Sequence, residues 1–185
     1  GGERRGAGAT AKCAAEGGAN GLVCGPGGGA GDILDRAGEL PGSPGAMDEL
    51  GMAELAESVR VLGYESLHML GYRDSGMPDT DDNARADNFA NAPLDEAVGR
   101  LVKIIRAERP QVIITYREDR SFYPHPDHIR VHEISLPAFD LAGDPEAYPD
   151  AGEPWQPPKL YYVSWSIARV KALHQSYLSR GAEGA

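Results

Sequence analysis

Cysteine is nearly missing from this chain, with only Cys13 and Cys24 present. They allow one bridge at most, and without a CxxC spacing they exclude a redox pair of that kind and a zinc ribbon, which leaves two small core residues. Basic charge is also scarce: 18 Lys and Arg stand against 28 Asp and Glu, for a formal net charge of −10 and a pI of about 4.9. Such a surface repels phosphate backbones and anionic lipid, so neither nucleic acid nor a membrane surface is expected as a partner. Long hydrophobic runs are lacking, and no basic-then-apolar leader is visible, so a cytoplasmic location is expected. No glycine fingerprint joins a strand to a helix, since Gly25 to Gly31 is too loose a run, and this removes support for a nucleotide-binding module.

What remains is ordinary for a globular protein. At 185 residues, 41% hydrophobic and 25% charged, the chain is expected to form one α/β domain over 1–185. Gly1 stands where Met is usual and most of the 24 glycines fall early. The chain is therefore expected to begin internally and to be incomplete at both ends.

Periodicity predicts alternating helices and strands. Thr10 to Glu16 is Ala-rich and helical, and Gly21 to Cys24 is a short strand. Met47, Leu50, Leu55, Val59 and Leu62 recur at helical spacing before Gly63 stops the helix. Ser66 to Leu70 reads as a strand that runs into the polar turn Gly71-Tyr-Arg-Asp-Ser-Gly76. Residues 77–91 are polar and acidic and read as a mobile loop. Pro93 to Arg106 is an amphipathic helix, Gln111 to Tyr116 a buried strand, and Lys159 to Trp165 a further strand before a last helix from Ile167. Between the latter two strands, 143–158 is punctuated by Pro and Gly and reads as a loop. The order implies a mostly parallel sheet with helices on both faces.

One stretch concentrates chemistry. Tyr123-Pro-His-Pro-Asp-His128, followed by Ile-Arg-Val-His132, places three imidazoles and a carboxylate at a strand–loop–helix junction, where open α/β sheets bind ligands. Pro126 suits the first helical turn. His125 and His128 are three apart and His128 and His132 four apart, so pairs can share a helix face, as a metal site requires. An isolated histidine there would read as solvated; the cluster favours a metal site. Asp74 and Ser75 fall just past another strand's C-terminal edge.

These segments, Gly71 to Gly76 and Tyr123 to His128, with Ala147-Tyr-Pro-Asp-Ala-Gly-Glu-Pro-Trp-Gln-Pro-Pro-Lys-Leu-Tyr-Tyr162, resemble the LmbE-like (PIG-L) deacetylase superfamily. Within it they most resemble the mycothiol S-conjugate amidase branch, over nearly the whole chain. The resemblance implies a Rossmann-like fold holding one Zn²⁺ that hydrolyses an amide on a glucosamine nitrogen, in thiol detoxification. Its substrates would be small thiol or sugar conjugates. It implies His128 as metal ligand, His125 facing the scissile carbonyl, Asp127 orienting a histidine, Tyr123 as a mobile helper at the oxyanion, and Asp74 binding sugar hydroxyls. His132 has no family role and reads as structural. The family's second motif, His-Pro-Asp-Asp-Glu, aligns so that Glu3 matches its last residue while Gly1 and Gly2 fall on the aspartates. Gly27 to Gly31 takes the place of an acidic turn, and Gly51 that of an arginine. Zinc binding is therefore expected to be weak, and the alternative reading is a catalytically silent relative that keeps the fold and a conjugate site.

Overall fold

Parallel strand pairing and helical crossovers organise the chain, of which the computed structural model describes residues 2–29, 44–118, 124–164 and 167–179. In order these are α1 (Gly2–Ala15), β1 (Gly21–Pro26), α2 (Pro44–Leu62), β2 (Ser66–Tyr72), the short α3 (Asp81–Ala84), α4 (Leu94–Glu108), β3 (Val112–Tyr116), α5 (Pro126–Leu141), one 3-10 turn at Pro149–Ala151, β4 (Lys159–Val163) and α6 (Ile167–Ser179). β1 pairs with β2 from Gly21↔Ser66 to Pro26↔Tyr72, with an irregularity after Cys24, and β3 pairs with β4 from Val112↔Lys159 to Tyr116↔Val163. Both pairs are parallel, as the alternation of elements implies. Among the described residues they form two two-stranded sheets rather than one.

The core lies between these strands and α4 and α5. Ala97, Val98, Val102 and Ile105 of α4 meet Leu70 of β2 and Ile134, Ala138 and Ala142 at and beyond α5. Their 3-and-4 spacing is the apolar stripe anticipated for α4. α4 ends where Arg109 takes a left-handed conformation and its N–H bonds the Ile105 carbonyl. α5 runs through Pro137, which leaves one carbonyl of the preceding turn without its usual donor. α1 begins eight residues earlier than the Ala-rich stretch alone suggests, because its early glycines weigh against helix in composition even where the chain is continuous with a helix-forming run.

Residues 77–91, read from composition as a mobile loop, are fixed in place. Thr80 caps α3, accepting from the Asn83 amide. The side chain of Asn88, fully buried, donates to the carbonyls of Asp82 and Asn83 and accepts from the Asn91 amide. Phe89, with no exposed surface, stacks on Tyr72 at 5.4 Å and covers Gly25 of β1. Two residues in a polar stretch thus supply its anchor, which average polarity hides. A Cβ at Gly25 would lie 2.6 Å from the Phe89 ring. Gly25→Ala should therefore lower stability by about 1–3 kcal/mol through overpacking, read as a shift in the urea midpoint; an unshifted midpoint would mean that Phe89 relocates freely.

The connection from Gly143 to Pro158 is anchored to α4 and the end of α5. Arg106, buried in α4, donates to the carbonyls of Ala142, Tyr148, Gly152, Leu141, Asp144 and Ala147 at 2.7–3.3 Å. The Tyr148 hydroxyl donates to Asp95 at 2.6 Å, and its pKa is pushed up to about 12 by burial and then by that carboxylate. Trp155 bonds the Pro110 carbonyl and lies under the Arg109 guanidinium.

Candidate active site

The ends of β2 and β3 and the start of α5 bring the candidate residues together. After β2, Asp74 turns back on itself: its Oδ1 accepts from the Gly76 amide at 2.9 Å, and Gly76 has φ +62°, a conformation that glycine adopts without strain. Ser75, fully buried, accepts from the Ala90 amide through Oγ and donates its own N–H to Asp127 Oδ2 at 3.4 Å. The turn is therefore held from both sides.

α5 starts as its sequence suggests, with His125 as the cap and Pro126 in the first turn. His125 Nδ1 accepts from the Asp127 amide at 3.2 Å, and its carbonyl accepts from the amides of His128 and Ile129. The histidine thus takes the role usually filled by Ser or Asp at a helix start. Ligand atoms of Asp74, His125 and Asp127 all lie within 4.8 Å of one another. Burial raises the pKa of Asp127 above the ordinary carboxylate range, and the Asp74 charge adds to this, while Ser75 and His125 pull it down. Its Oδ1 is buried without a hydrogen-bond partner among the described residues.

His128 lies beside this group. Its ring is tilted against that of His125 at 5.1 Å and stacked on Tyr116, the last residue of β3, at 4.4 Å and 12°. His132, one turn on, bonds the Tyr116 carbonyl through Nδ1 at 3.0 Å and packs on Tyr162. A carbonyl only accepts, so His132 carries a proton on Nδ1. Its place is structural, against the strand. Arg130 donates to the Ala92 carbonyl and to Glu133, tying α5 to the loop before α4.

Asp74, His125 and Asp127 are thus gathered, with His128 adjacent, while Tyr123 lies outside the described residues. Asp127, expected to orient a histidine, meets His125 through its backbone amide. Sequence spacing did not reveal Ser75 or Tyr116 as supports. Ser75 is in the matching motif, and Tyr116 ends a strand that leads into the histidine loop, which are the signals that could have found them. The connection 143–158 makes its hydrogen bonds to α4 and to the end of α5 rather than to these residues.

Carboxylates and imidazoles gather here where parallel strands end, the place where α/β folds bind ligands. Residues 4–139 match the model of the PIG-L family, GlcNAc-PI de-N-acetylase, and the chain belongs to that family. It is 41% identical over 176 residues to 1D-myo-inositol 2-acetamido-2-deoxy-alpha-D-glucopyranoside deacetylase 2 of Saccharopolyspora erythraea, covering 91% of this chain and 64% of the relative. It is 48% identical over 98 residues to the mycothiol S-conjugate amidase of Streptomyces coelicolor, covering 51% of this chain and 33% of that one. The chain thus spans less than two thirds of the length of either relative. The fold is similar to that of N,N'-diacetylchitobiose deacetylase from Pyrococcus horikoshii, with a TM-score of 0.66 at 21% identity over 96% of this chain and 65% of that one. No helix among the described residues is long and apolar enough to cross a membrane.

Proposed function

We propose that this chain carries the catalytic centre of a zinc-dependent hydrolase that cleaves the amide on a glucosamine nitrogen, in a small sugar or thiol conjugate of the kind named for its relatives. The observation that carries this reading is the convergence of Asp74, His125 and Asp127 beside His128. Two carboxylates this close repel each other, and Asp127 Oδ1 is buried without a partner among the described residues. A divalent cation fits both conditions.

Asp74 and Asp127 would hold the ion with the imidazole of His128, which the resemblance implies as ligand and which lies beside the Asp74, His125 and Asp127 group rather than within it; one imidazole and two carboxylates make a three-ligand set of the kind catalytic zinc uses with a position left open. Bound zinc supplies a polarised amide oxygen and a more acidic water. His125 suits a different task. Because its Nδ1 accepts from the Asp127 amide, the neutral ring carries its proton on Nε2. Ligation through Nε2 would require that proton to move and the helix cap to break. As a donor, Nε2–H stabilises the charge that develops on the amide oxygen, and the cap keeps the ring turned for it. Asp74 sits on a rigid turn, and a carboxylate has a second oxygen that can accept from a sugar hydroxyl.

A second reading, a fold-retaining relative without turnover, is favoured by Gly2 at the head of α1, where the resemblance calls for a carboxylate. One experiment separates the two. The dialysed chain is offered zinc, then incubated with an acetylglucosaminyl-inositol and with a mycothiol S-conjugate, and released amine is measured. Amine release that a chelator stops is the expected result. Zinc retained without amine release would establish the second reading.

A further inference from the structure

Two consecutive backbone amides hold the two carboxylates of the site. The Ser75 N–H donates to Asp127 Oδ2 at 3.4 Å, and the Gly76 N–H donates to Asp74 Oδ1 at 2.9 Å. Successive amides in a turn that includes a left-handed residue make an anion-binding arrangement, and Gly76 supplies that residue at φ +62°. Ligand atoms of both carboxylates lie within 4.8 Å of each other and of His125, a distance at which like charges screened from water repel. Asp127 is 6% exposed, and its Oδ1 has no hydrogen-bond partner among the described residues. The turn itself is gripped on either side of Asp74. The Phe89 amide bonds the Arg73 carbonyl at 3.0 Å, and the next amide, that of Ala90, bonds the hydroxyl oxygen of the fully buried Ser75 at 2.8 Å.

We infer that Ser75 is a positioning residue: its hydroxyl, fastened to the Ala90 amide, keeps the turn in the shape in which the Ser75 and Gly76 amides clamp Asp127 and Asp74 side by side before any cation arrives. For the metal, this rests on the proposed function and on Asp74 and Asp127 as ligands. A site whose charges are already gathered binds an ion more tightly than one that must bring repelling carboxylates together on binding. Ser75 acts on the ion only through the two amides. Each amide occupies one oxygen of its carboxylate, and a carboxylate has a second oxygen to offer. The side chain matters because it gives the Ala90 amide an acceptor. Alanine at position 75 removes that acceptor and little volume, so the turn should loosen while the core around it stays filled.

The test compares the full chain with its Ser75→Ala and Asp127→Asn variants, first without metal. In an amide NMR spectrum the Ser75 N–H proton should move upfield in Asp127→Asn, since a hydrogen bond to a carboxylate is stronger than one to a neutral amide. In Ser75→Ala the amide protons of residues 75 and 76 should both move upfield and exchange faster with solvent. Zinc affinity, measured by competition with a chromophoric chelator, should fall roughly 10–100-fold in Ser75→Ala, the loss that follows when a group orienting a metal ligand is removed. A folded Ser75→Ala variant that keeps either the parent's amide positions or its zinc affinity overturns the inference. Should that variant fail to fold, the parent and Asp127→Asn decide: a Ser75 amide proton that does not respond to the substitution overturns the clamp. The amide readouts need no metal. A parent that shows the clamp and binds no zinc would therefore count against the proposed function and not against the role of Ser75.

Discussion

Arg106→Ala is expected to lower the unfolding free energy by about 3–5 kcal/mol, on the scale of breaking a buried charged network. Arg106 is 4% exposed, and its donors reach six carbonyls from Leu141 to Gly152. Removing it takes a donor from each of those acceptors, in a segment that has no strand or long helix of its own; the carbonyls of Leu141, Ala142, Asp144 and Tyr148 keep a backbone N–H, and those of Ala147 and Gly152 lose the donor that Arg106 gave them. Some would regain water as the segment loosens, so the loss is smaller than a sum over all six. Lysine can restore the charge but not the fork, because an ammonium is a compact point with three donors; Arg106→Lys should fall between the two. Urea denaturation gives the magnitude, and hydrogen exchange should show the amides of 142–152 opening first. A loss below about 1 kcal/mol, typical of a surface change, would mean that the connection is held by its other contacts.

Asp127→Asn should move stability and function in opposite directions. The carboxyl of Asp127 has its pKa raised by burial, with Asp74 adding to the effect. A raised pKa means that the folded form holds the proton more tightly than the unfolded chain does. The stability this confers is fully present below the unfolded carboxylate pKa and is lost as pH rises through the folded one. At neutral pH and without metal, the ionised group is therefore a burden, and the neutral amide removes it. The variant should be more stable than the parent at pH 7 by about 1–3 kcal/mol, and the advantage should vanish in acid. Zinc affinity and any amide hydrolysis should fall, by roughly 10–100-fold or more. Urea midpoints between pH 4 and 8 on metal-free protein, with zinc titrations beside them, give both numbers. An Asn variant that is less stable at pH 7 would show that the surroundings favour the carboxylate, and its unpartnered oxygen would no longer point to an ion site.

Much of this was legible in the sequence because the signals are local. The apolar stripe of α4, the Pro126 start of α5 and the strand Val112 to Tyr116 each follow from residues a few positions apart, although Val112 and Ile114 stand exposed where the run read as buried. The gathering of Asp74 with His125 and Asp127 is different in kind. It depends on a turn after β2 meeting a helix more than fifty residues later, and what pointed to it was the family motifs together with the place of both segments just past the C-terminal ends of strands. Phe89 and Asn88 were hidden for a related reason: in a polar stretch two residues carry the anchoring, and their partners, Gly25, Tyr72 and Asp82, are set by the fold. The division into two strand pairs was not legible either, because strand composition does not say which edges meet. Nor was the role of the Asp127 amide, since motifs name side chains and the bond to His125 is made by backbone.

The buried guanidiniums of this acidic chain are directed largely at main-chain oxygens, Arg106 at six carbonyls and Arg130 at that of Ala92, and the exposed Arg100 reaches that of Leu70. Amide oxygens do not take up protons in the range where carboxylates do, and arginine does not release one there. Acidification therefore neutralises the ion pairs of the surface and the charges of the site while these bonds persist. In a pH titration the frame should outlast the charge of the proposed site, and mild acid should yield a folded protein whose Asp127 carboxyl, with its raised pKa, has taken up a proton.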